Sequence, residues 1–315
     1  MGLGPAAIKL YLDLWQRGFY RNIKNVVEMG AQELHLKPAD FEELVRVAGI
    51  NEYRKEDFNN LVYWPGCPRC PARPFYELLG VPEYACVDLG GEHEAISLDL
   101  NLPLEDRSLY DKYDLVTDHG TNEHVFNTAE AYRTMHRLCK PQGFMLIAQV
   151  VFNGNGYFTY DLSFFEGMAA ANDYRIHYSS YIVTTNTLTS EGSASQFHVP
   201  LSRVLIDTLD WTRVQQIGIC YVMQKLADAD FHYPYQGQYL SRVMGHHGYQ
   251  LQFLPEPPSR TYLPVWEPSH ILENTSAKNL LKHLLGRVLL IGYIFSRTFK
   301  RIKLKISKII YTGGR

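Results

Sequence analysis

The 315-residue sequence has no apolar run approaching the ~20 residues that a bilayer-spanning helix requires; the uninterrupted apolar stretch at residues 288–295 is far shorter. Cysteine is scarce. The five present (Cys67, Cys70, Cys86, Cys139 and Cys220) are an odd number scattered along the chain, a usage that argues for a reducing, cytoplasmic setting. The first ten residues lack a basic start followed by an apolar run, so no secretory leader is expected. Gly2 follows the initiator, but Ala6 stands where myristoylation needs Ser or Thr. Low-complexity tracts and solenoid-period repeats are also missing. Apolar content of 46% and charged content of 20% then fit an ordinary globular chain. Its length allows one sizeable α/β domain with additions.

Acidic residues are absent from 278–315, where ten Lys or Arg occur. Removing those ten from the 31 basic residues leaves 21 against 33 acids, a balance of −12 for the body of the chain. An acidic body argues against nucleic acid as a partner, because phosphate contacts need clustered Lys and Arg. The tail combines an apolar face (Leu280, Leu281, Leu284, Leu285, Val288, Leu289) with Lys282 and Arg287, then alternates Ile302, Leu304 and Ile306 with Lys303 and Lys305. Two readings stand: a helix packed on the core or a partner, or a segment lying on an anionic membrane surface.

Element alternation predicts a helix over residues 6–20 and a strand over 23–29 ending at Gly30, with a helix following around 41–47. Pro65, Pro68, Pro71 and Pro74 forbid long regular structure, so 51–82 reads as a Pro-rich insertion. Strands are then expected at 84–89, 95–100, 113–118, 144–151 and 174–184, helices at 128–139 and 162–171, a polar loop over 192–210 and a last strand at 216–226. This is an α/β pattern: a Rossmann-like, mostly parallel seven-stranded sheet with helices on both faces and an antiparallel edge strand. The divisions are an N-terminal helix (1–22), a core (23–236), an irregular wrapping segment (237–277) and the basic amphipathic tail (278–315).

Ligands of open α/β sheets bind beyond the carboxyl ends of the strands. Those ends carry Glu28-Met29-Gly30-Ala31-Gln32, then Asp88-Leu89, Asp99-Leu100-Asn101 and Asp118-His119-Gly120. Carboxylates accept hydrogen bonds from ammonium, ribose hydroxyl and adenine amino groups. A dinucleotide would instead want a glycine-rich turn over its pyrophosphate, and Gln32 occupies the place of the second glycine. That disfavours a nicotinamide-dependent oxidoreductase.

In order, the segments V-V-E-M-G-A-Q, Y-A-C-V-D-L, I-S-L-D-L-N, Y-D-L-V-T-D-H-G-T-N-E-H-V and L-C-K-P-Q-G-F-M-L-I resemble the motifs of class I S-adenosylmethionine-dependent methyltransferases, from about residue 25 to 226. The resemblance implies S-adenosyl-L-methionine as cofactor and a small-molecule or glycan-like acceptor, with O-methylation favoured. By position it assigns Glu28, Gly30, Ala31 and Gln32 to the methionine end of the cofactor. Asp88 with Leu89 is assigned to the ribose, Asp99 with Leu100 and Asn101 to the adenine, and Asp118 and His119 again to the methionine side. Glu123-His124-Val125 resembles the segment of small-molecule members in which His acts as general base, giving Glu123, His124 and His119 as catalytic candidates. In some relatives such a Glu-His pair also binds a divalent ion; Gly120 stands where those carry a further Glu, which disfavours a metal. The sequence departs from the family pattern at Gln32 and Gln142, each in place of a glycine, in a long gap from Gly30 to Asp88, and in a short gap from Asp88 to Asp99.

Blander readings stand beside these. Asp and Asn at strand ends often only satisfy backbone groups, and His124 taken alone is a surface or structural histidine. Cys67 and Cys70 form a C-x-x-C without a second ligand pair at zinc-finger spacing. Tyr157, Tyr160, Phe164 and Phe165 line either an acceptor pocket or the core. The competing function from another class is a non-catalytic scaffold or regulatory protein that keeps the fold at a membrane surface.

Overall fold

The computed structural model describes residues 2–61, 70–185, 195–201, 203–235 and 252–253. Apolar runs without alternation signal strands covered on both faces, and β2 (Asn25–Met29) is one, with every residue after Asn25 buried. It pairs in parallel with β4 (Glu83–Val87) on one side and β5 (Tyr113–His119) on the other. Next to β5 runs β6 (Cys139–Phe152), also parallel. Beyond it lie β9 (Val214–Lys225), β7 (Tyr174–Thr185) and the two-residue β10 (Gln252–Phe253), with β8 (Ser195–Val199) paired antiparallel to β7. The order is β10-β7-β9-β6-β5-β2-β4. From β2 the chain winds outward to β4, then returns to start β5 on the other side of β2. The reversal makes the carboxyl ends of β2 and β5 the topological switch point, where α/β sheets bind ligands.

β9 runs antiparallel to β6. The sequence places it beside the 174–184 strand, as observed, but at the edge of the sheet, whereas it lies between β6 and β7. Its composition explains the position: Ile219, Cys220, Tyr221, Val222 and Met223 are buried in succession, which an edge strand with one wet face would not need. Three further sequence expectations change. The strand expected at 95–100 reduces to a single bridge between Ile96 and Val87, since Gly90 and Gly91 and the left-handed His93 and Glu94 turn the chain away. The 192–210 loop contains β8 and a short helix, α6 (Arg203–Thr208). The Pro-rich insertion holds α3 (Arg73–Leu78), which Pro74 starts rather than breaks because its missing N–H falls in the first turn. α6 belongs to a second unit, of which residues 203–214 are described.

Strand residues divide by their period of two between two apolar clusters. Val26, Leu115, Leu146 and Val222 pack with α1 (Pro5–Gln16), α2 (Pro38–Val47) and α3. Val27, Val116, Met145, Ile147 and Met223 pack with α4 (Thr128–Leu138) and α5 (Leu162–Ala171). Tyr160 and Phe165 belong to the second cluster, whereas Tyr157 is exposed. In the K-P-Q-G turn, Gln142 adopts the left-handed conformation (φ +68°) that glycine takes at no steric cost, and its amide donates to the Leu226 carbonyl at 2.8 Å.

The C-terminal tail, most of the wrapping segment and Cys67 lie outside the described residues. Cys70 is buried, its thiol pushed up to about 11 by that burial. No described helix is long and apolar enough to cross a membrane.

Lys225 closes the far end of the sheet. Only 2% exposed, its ammonium donates to Asp111 Oδ1 (2.8 Å) and to the carbonyls of His136 (3.1 Å) and Cys139 (3.0 Å). All three donors are used. Lys225→Met is expected to lower unfolding free energy by about 3 kcal/mol, because three acceptors lose their donor at a buried site; urea denaturation at pH 7 measures it, and an unchanged midpoint would refute this role.

Candidate functional site

The crevice at the switch point is built around a glycine. Gly30 ends β2 in the left-handed conformation (φ +79°), and a Cβ there would collide with the Thr121 hydroxyl. Its N–H donates to the Val87 carbonyl at 2.7 Å, tying the end of β2 to that of β4. Gln32, fully buried, donates through Nε2 to the Met29 carbonyl and to Thr121 Oγ1, both at 3.0 Å. Its Oε1 has no partner, and neither amide atom of the buried Asn122 has one. Buried polar atoms of native proteins are normally paired, so the β2 and β5 ends hold hydrogen-bonding capacity that the described chain does not use.

The acids named from the sequence fall into two classes. Asp88 and Asp99 are half-buried: Asp88 Oδ2 accepts from Ala31 N–H (3.1 Å) and Oδ1 from Gly90 N–H (2.7 Å). Asp99 Oδ1 accepts from the backbone and side-chain amides of Asn101, both at 2.9 Å, and these bonds hold its carboxyl below the usual range. Asn101 in turn is clamped to Asn127 by two hydrogen bonds. Next to these acids Leu89, Leu102 and Phe126 are exposed by 69%, 60% and 76%, while Leu100 is buried in the second cluster.

Glu28 and Asp118 are fully buried instead. Burial pushes each up to about 7, against hydrogen bonds that pull down. Glu28 accepts from Tyr76 (2.9 Å) and Tyr84 (2.7 Å). Asp118 Oδ1 accepts from the N–H groups of Thr121 (2.9 Å) and Asn122 (3.3 Å), and Oδ2 from Gln149 Nε2. Asp118 therefore shapes the loop after β5.

A cavity of about 350 Å³ opens beside this loop, over the ends of β5, β6, β7 and β9. His119, Glu123 and His124 line it, together with Gln149, Gln196 and His35. Gly2, Gly4, Ala6 and Ala7 form its N-terminal wall. A Cβ on Gly2 would strike the His35 ring and one on Gly4 the flexible end of Gln196, so either side chain would have to shift. Glu123 is buried, accepts from Val150 N–H at 2.9 Å and has its carboxyl raised by burial. Its Oε1 lies 3.7 Å from His124 Nε2, and His124 remains 35% exposed. His119 is 7% exposed, pushed down to about 3 by burial, and bonded through Nε2 to Tyr11 at 2.9 Å. His35 and His93 hold the two oxygens of the buried Glu33 at 3.3 and 3.0 Å. Among the described residues no group of three His, Cys, Asp or Glu is arranged to hold a metal.

No family model and no curated protein matches the chain. The solved structures it is similar to include methyltransferases. One is a putative methyltransferase from Bacillus halodurans (12% identity, covering 68% of this chain and 99% of that chain, TM-score 0.38). Another is the Burkholderia thailandensis 1,6-didemethyltoxoflavin-N1-methyltransferase with bound 1,6-didemethyltoxoflavin and S-adenosylhomocysteine (11%, 70% and 79%, TM-score 0.35). A third is an S-adenosylmethionine-dependent methyltransferase from Archaeoglobus fulgidus (11%, 69% and 94%, TM-score 0.35). At such identities and scores these are likenesses of chain path, and the chemistry rests on the site itself.

Gln149 escaped the sequence reading. Its signal was a carboxamide inside the apolar strand M-L-I-A-Q-V-V, where a polar side chain must find a buried partner. Tyr11, Tyr76 and Tyr84 carried no local signal, because α1, α3 and β4 bring them to Glu28 only in the fold.

Asp118 ties the site to pH. The native state keeps its proton up to about pH 7, the unfolded chain only to its ordinary 3.8. Between those values the native state binds more protons, so the contribution is complete below pH 3.8 and is lost as pH rises to about 7. Asp118→Asn is expected to remove up to about 4 kcal/mol of this pH dependence. Urea midpoints of both proteins from pH 4 to 8 check it; parallel curves would show that Asp118 titrates normally.

Proposed function

We propose that this chain transfers a methyl group from S-adenosylmethionine to an oxygen of a small-molecule or saccharide-like acceptor, in a cytoplasmic setting. The observation that carries this reading is Gln149. Its Nε2 is committed to Asp118, its Oε1 is buried with no partner among the described residues, and the residue lines the cavity with His119, Glu123 and His124. An amide oxygen in that state suits a hydroxyl donor on the ligand. The cavity lining contains no Lys or Arg, which suits an uncharged acceptor over an anionic one.

The cofactor would occupy the switch-point crevice. Exposed Leu89 and Phe126 offer apolar surface to the adenine, and Asp99 a carboxylate to its amino group. Asp88 can accept from ribose hydroxyls, and the unpaired amide atoms of Gln32 and Asn122 supply the polar contacts expected where a ligand is held. Bound there, S-adenosylmethionine supplies an electrophilic methyl on a sulfonium; the chain's part is to position the acceptor in line and take up its proton. His119 and His124 are the cavity histidines assigned to that proton, and Glu123 stands beside His124. A second reading has its own observation: Gln32 fills the place of a glycine, and both Asp88 oxygens already accept backbone N–H groups. A non-catalytic scaffold would tolerate both.

Isothermal calorimetry separates the two. S-adenosylmethionine and S-adenosylhomocysteine are expected to bind at micromolar Kd, NAD not at all, and Asp99→Ala to weaken both adenosyl ligands at least tenfold, about 1.4 kcal/mol. Absence of binding by either adenosyl ligand leaves the scaffold reading.

The basic tail, read from its sequence, would bring this chemistry to an anionic membrane surface. Full-length protein is expected to co-sediment with phosphatidylserine vesicles at low salt and to lose most of that binding without residues 278–315. Equal co-sedimentation of both forms would sink the membrane assignment.

A further inference from the structure

From the cavity wall a line of buried hydrogen bonds runs into the core. His119 Nε2 lies 2.9 Å from the Tyr11 hydroxyl, Tyr11 lies 3.0 Å from the Tyr76 hydroxyl, and Tyr76 donates to Glu28 Oε1 at 2.9 Å. Tyr11, Tyr76 and Glu28 are fully buried, and His119 nearly so. Four elements (β5, α1, α3 and β2) supply one member each, and none of the four residues is adjacent to another in sequence.

The line has a direction. The single Tyr76 proton is committed to the carboxylate, so Tyr76 must accept from Tyr11. Tyr11 has then spent its own proton and must accept from the Nε2–H of His119. That fixes the imidazole with Nδ1 as its unprotonated nitrogen, and Nδ1 has no partner among the described residues.

We propose that His119, Tyr11, Tyr76 and Glu28 form a proton relay that carries the acceptor's hydroxyl proton from the cavity to the buried Glu28 carboxylate. This rests on the methyl-transfer reading for the origin of the proton, not for the existence of the relay. The step balances: the acceptor O–H bond breaks and its proton bonds to His119 Nδ1, while the Nε2 proton moves to Tyr11, the Tyr11 proton to Tyr76, and the Tyr76 proton to Glu28 Oε1. The acceptor oxygen keeps the electron pair with which it would bond the methyl group, whose bond to the sulfonium sulfur would break with its electron pair left on sulfur as a neutral thioether. After product leaves, the sequence runs in reverse and returns the proton to the opened cavity. His119 is never cationic, which suits an imidazole that burial holds neutral far below its ordinary range. Glu28, raised to about 7, can be either charged or neutral near neutrality.

The groups facing Glu28 are consistent with this role. Tyr76 from α3 and Tyr84 from β4 donate to it, Thr117 from β5 lies 3.3 Å from Tyr76, and Cys86 and Tyr11 interact with it only through its charge. None of these is a cation that would hold the carboxylate ionised.

The relay predicts a coupling that needs no substrate. An ionised Glu28 orients the line toward itself and keeps His119 as the Nε2–H tautomer; a protonated Glu28 can donate to Tyr76, reverse every bond and leave His119 as the Nδ1–H tautomer. Nitrogen chemical shifts of 15N-histidine-labelled full-length protein read this directly. The expected result is a tautomer change at His119 with a midpoint near pH 7, absent in Glu28→Gln, whose amide keeps one orientation across the range, and absent in Tyr11→Phe and Tyr76→Phe. A His119 tautomer that does not change between pH 5.5 and 8.5 in the unmutated protein overturns the relay, as does an unchanged response in Glu28→Gln. The unmutated protein alone therefore decides the matter if a tyrosine variant fails to fold. Loss of the adenosyl-ligand binding described above would remove the methyl-transfer reading and leave this tautomer test intact.

Discussion

The carboxylate of Glu28 is the constraint around which one face of the sheet is organised. An ionised carboxyl taken out of water costs several kcal/mol unless its lone pairs are met, and here the donors are tyrosine hydroxyls brought from α3 and β4 together with the Gln32 backbone N–H. Those tyrosines are themselves fully or largely buried and need partners, which draws in Tyr11 from α1 and Thr117 and His119 from β5. One central-strand acid thereby specifies how three strands and two helices meet. The surrounding apolar cluster supplies most of the driving force, since burial scales with area and is not directional. The hydrogen-bonded line supplies the uniqueness: a slip of α1 by one residue would leave Tyr76, Tyr11 and His119 each one bond short.

The same arrangement determines where reactive groups stand. The switch point leaves the ends of β2 and β5 side by side, and Gly30 lets the chain turn there with the Thr121 hydroxyl packed where a side chain would be. On the β4 side stand exposed leucines and half-buried carboxylates. On the β6 side the N-terminal wall and β7 to β9 line a cavity with histidines and carboxamides. An electrophile on the first side and a nucleophile on the second would meet across β5. That division suits a transfer between two ligands better than chemistry on one.

Much of this was legible in the sequence, and what was not has a physical reason. β2, β5, β6 and α5 were readable because their apolar patterns are decided locally by burial on both faces or by helical period. The strand expected at 95–100 was not, because two glycines and the left-handed His93 and Glu94 cut its pairing to one bridge. The position of β9 inside the sheet could not be read, since a buried strand looks the same whichever neighbours it has. Within the site, acids at strand ends were found by topology alone, yet the difference between half-buried Asp99 and fully buried Asp118 depends on the loops that fold over them. Gln149 was visible in principle as a polar residue in an apolar run. Tyr11 was not, because a tyrosine in an amphipathic helix reads as core until its hydroxyl has a partner 108 residues away.

Burial separates the ionisable groups of the site into two kinds of work. Asp88 and Asp99 are half-buried and tied to backbone donors, and those bonds hold the Asp99 carboxyl below its ordinary range, which suits it to cationic or donor-rich ligands. Glu28 and Asp118, at equivalent ends of neighbouring strands, are dry and raised to about 7, so each exchanges a proton at little cost near neutrality. Asp118 spends its lone pairs on its own loop and on Gln149, which makes it a positioning residue. Glu28 spends its lone pairs on hydroxyls that can pass protons on. Of the two buried acids, only Glu28 has a hydrogen-bonded route made wholly of exchangeable protons to a side chain on the cavity wall, and that difference in partners, more than any difference in acidity, decides which one can take part in chemistry.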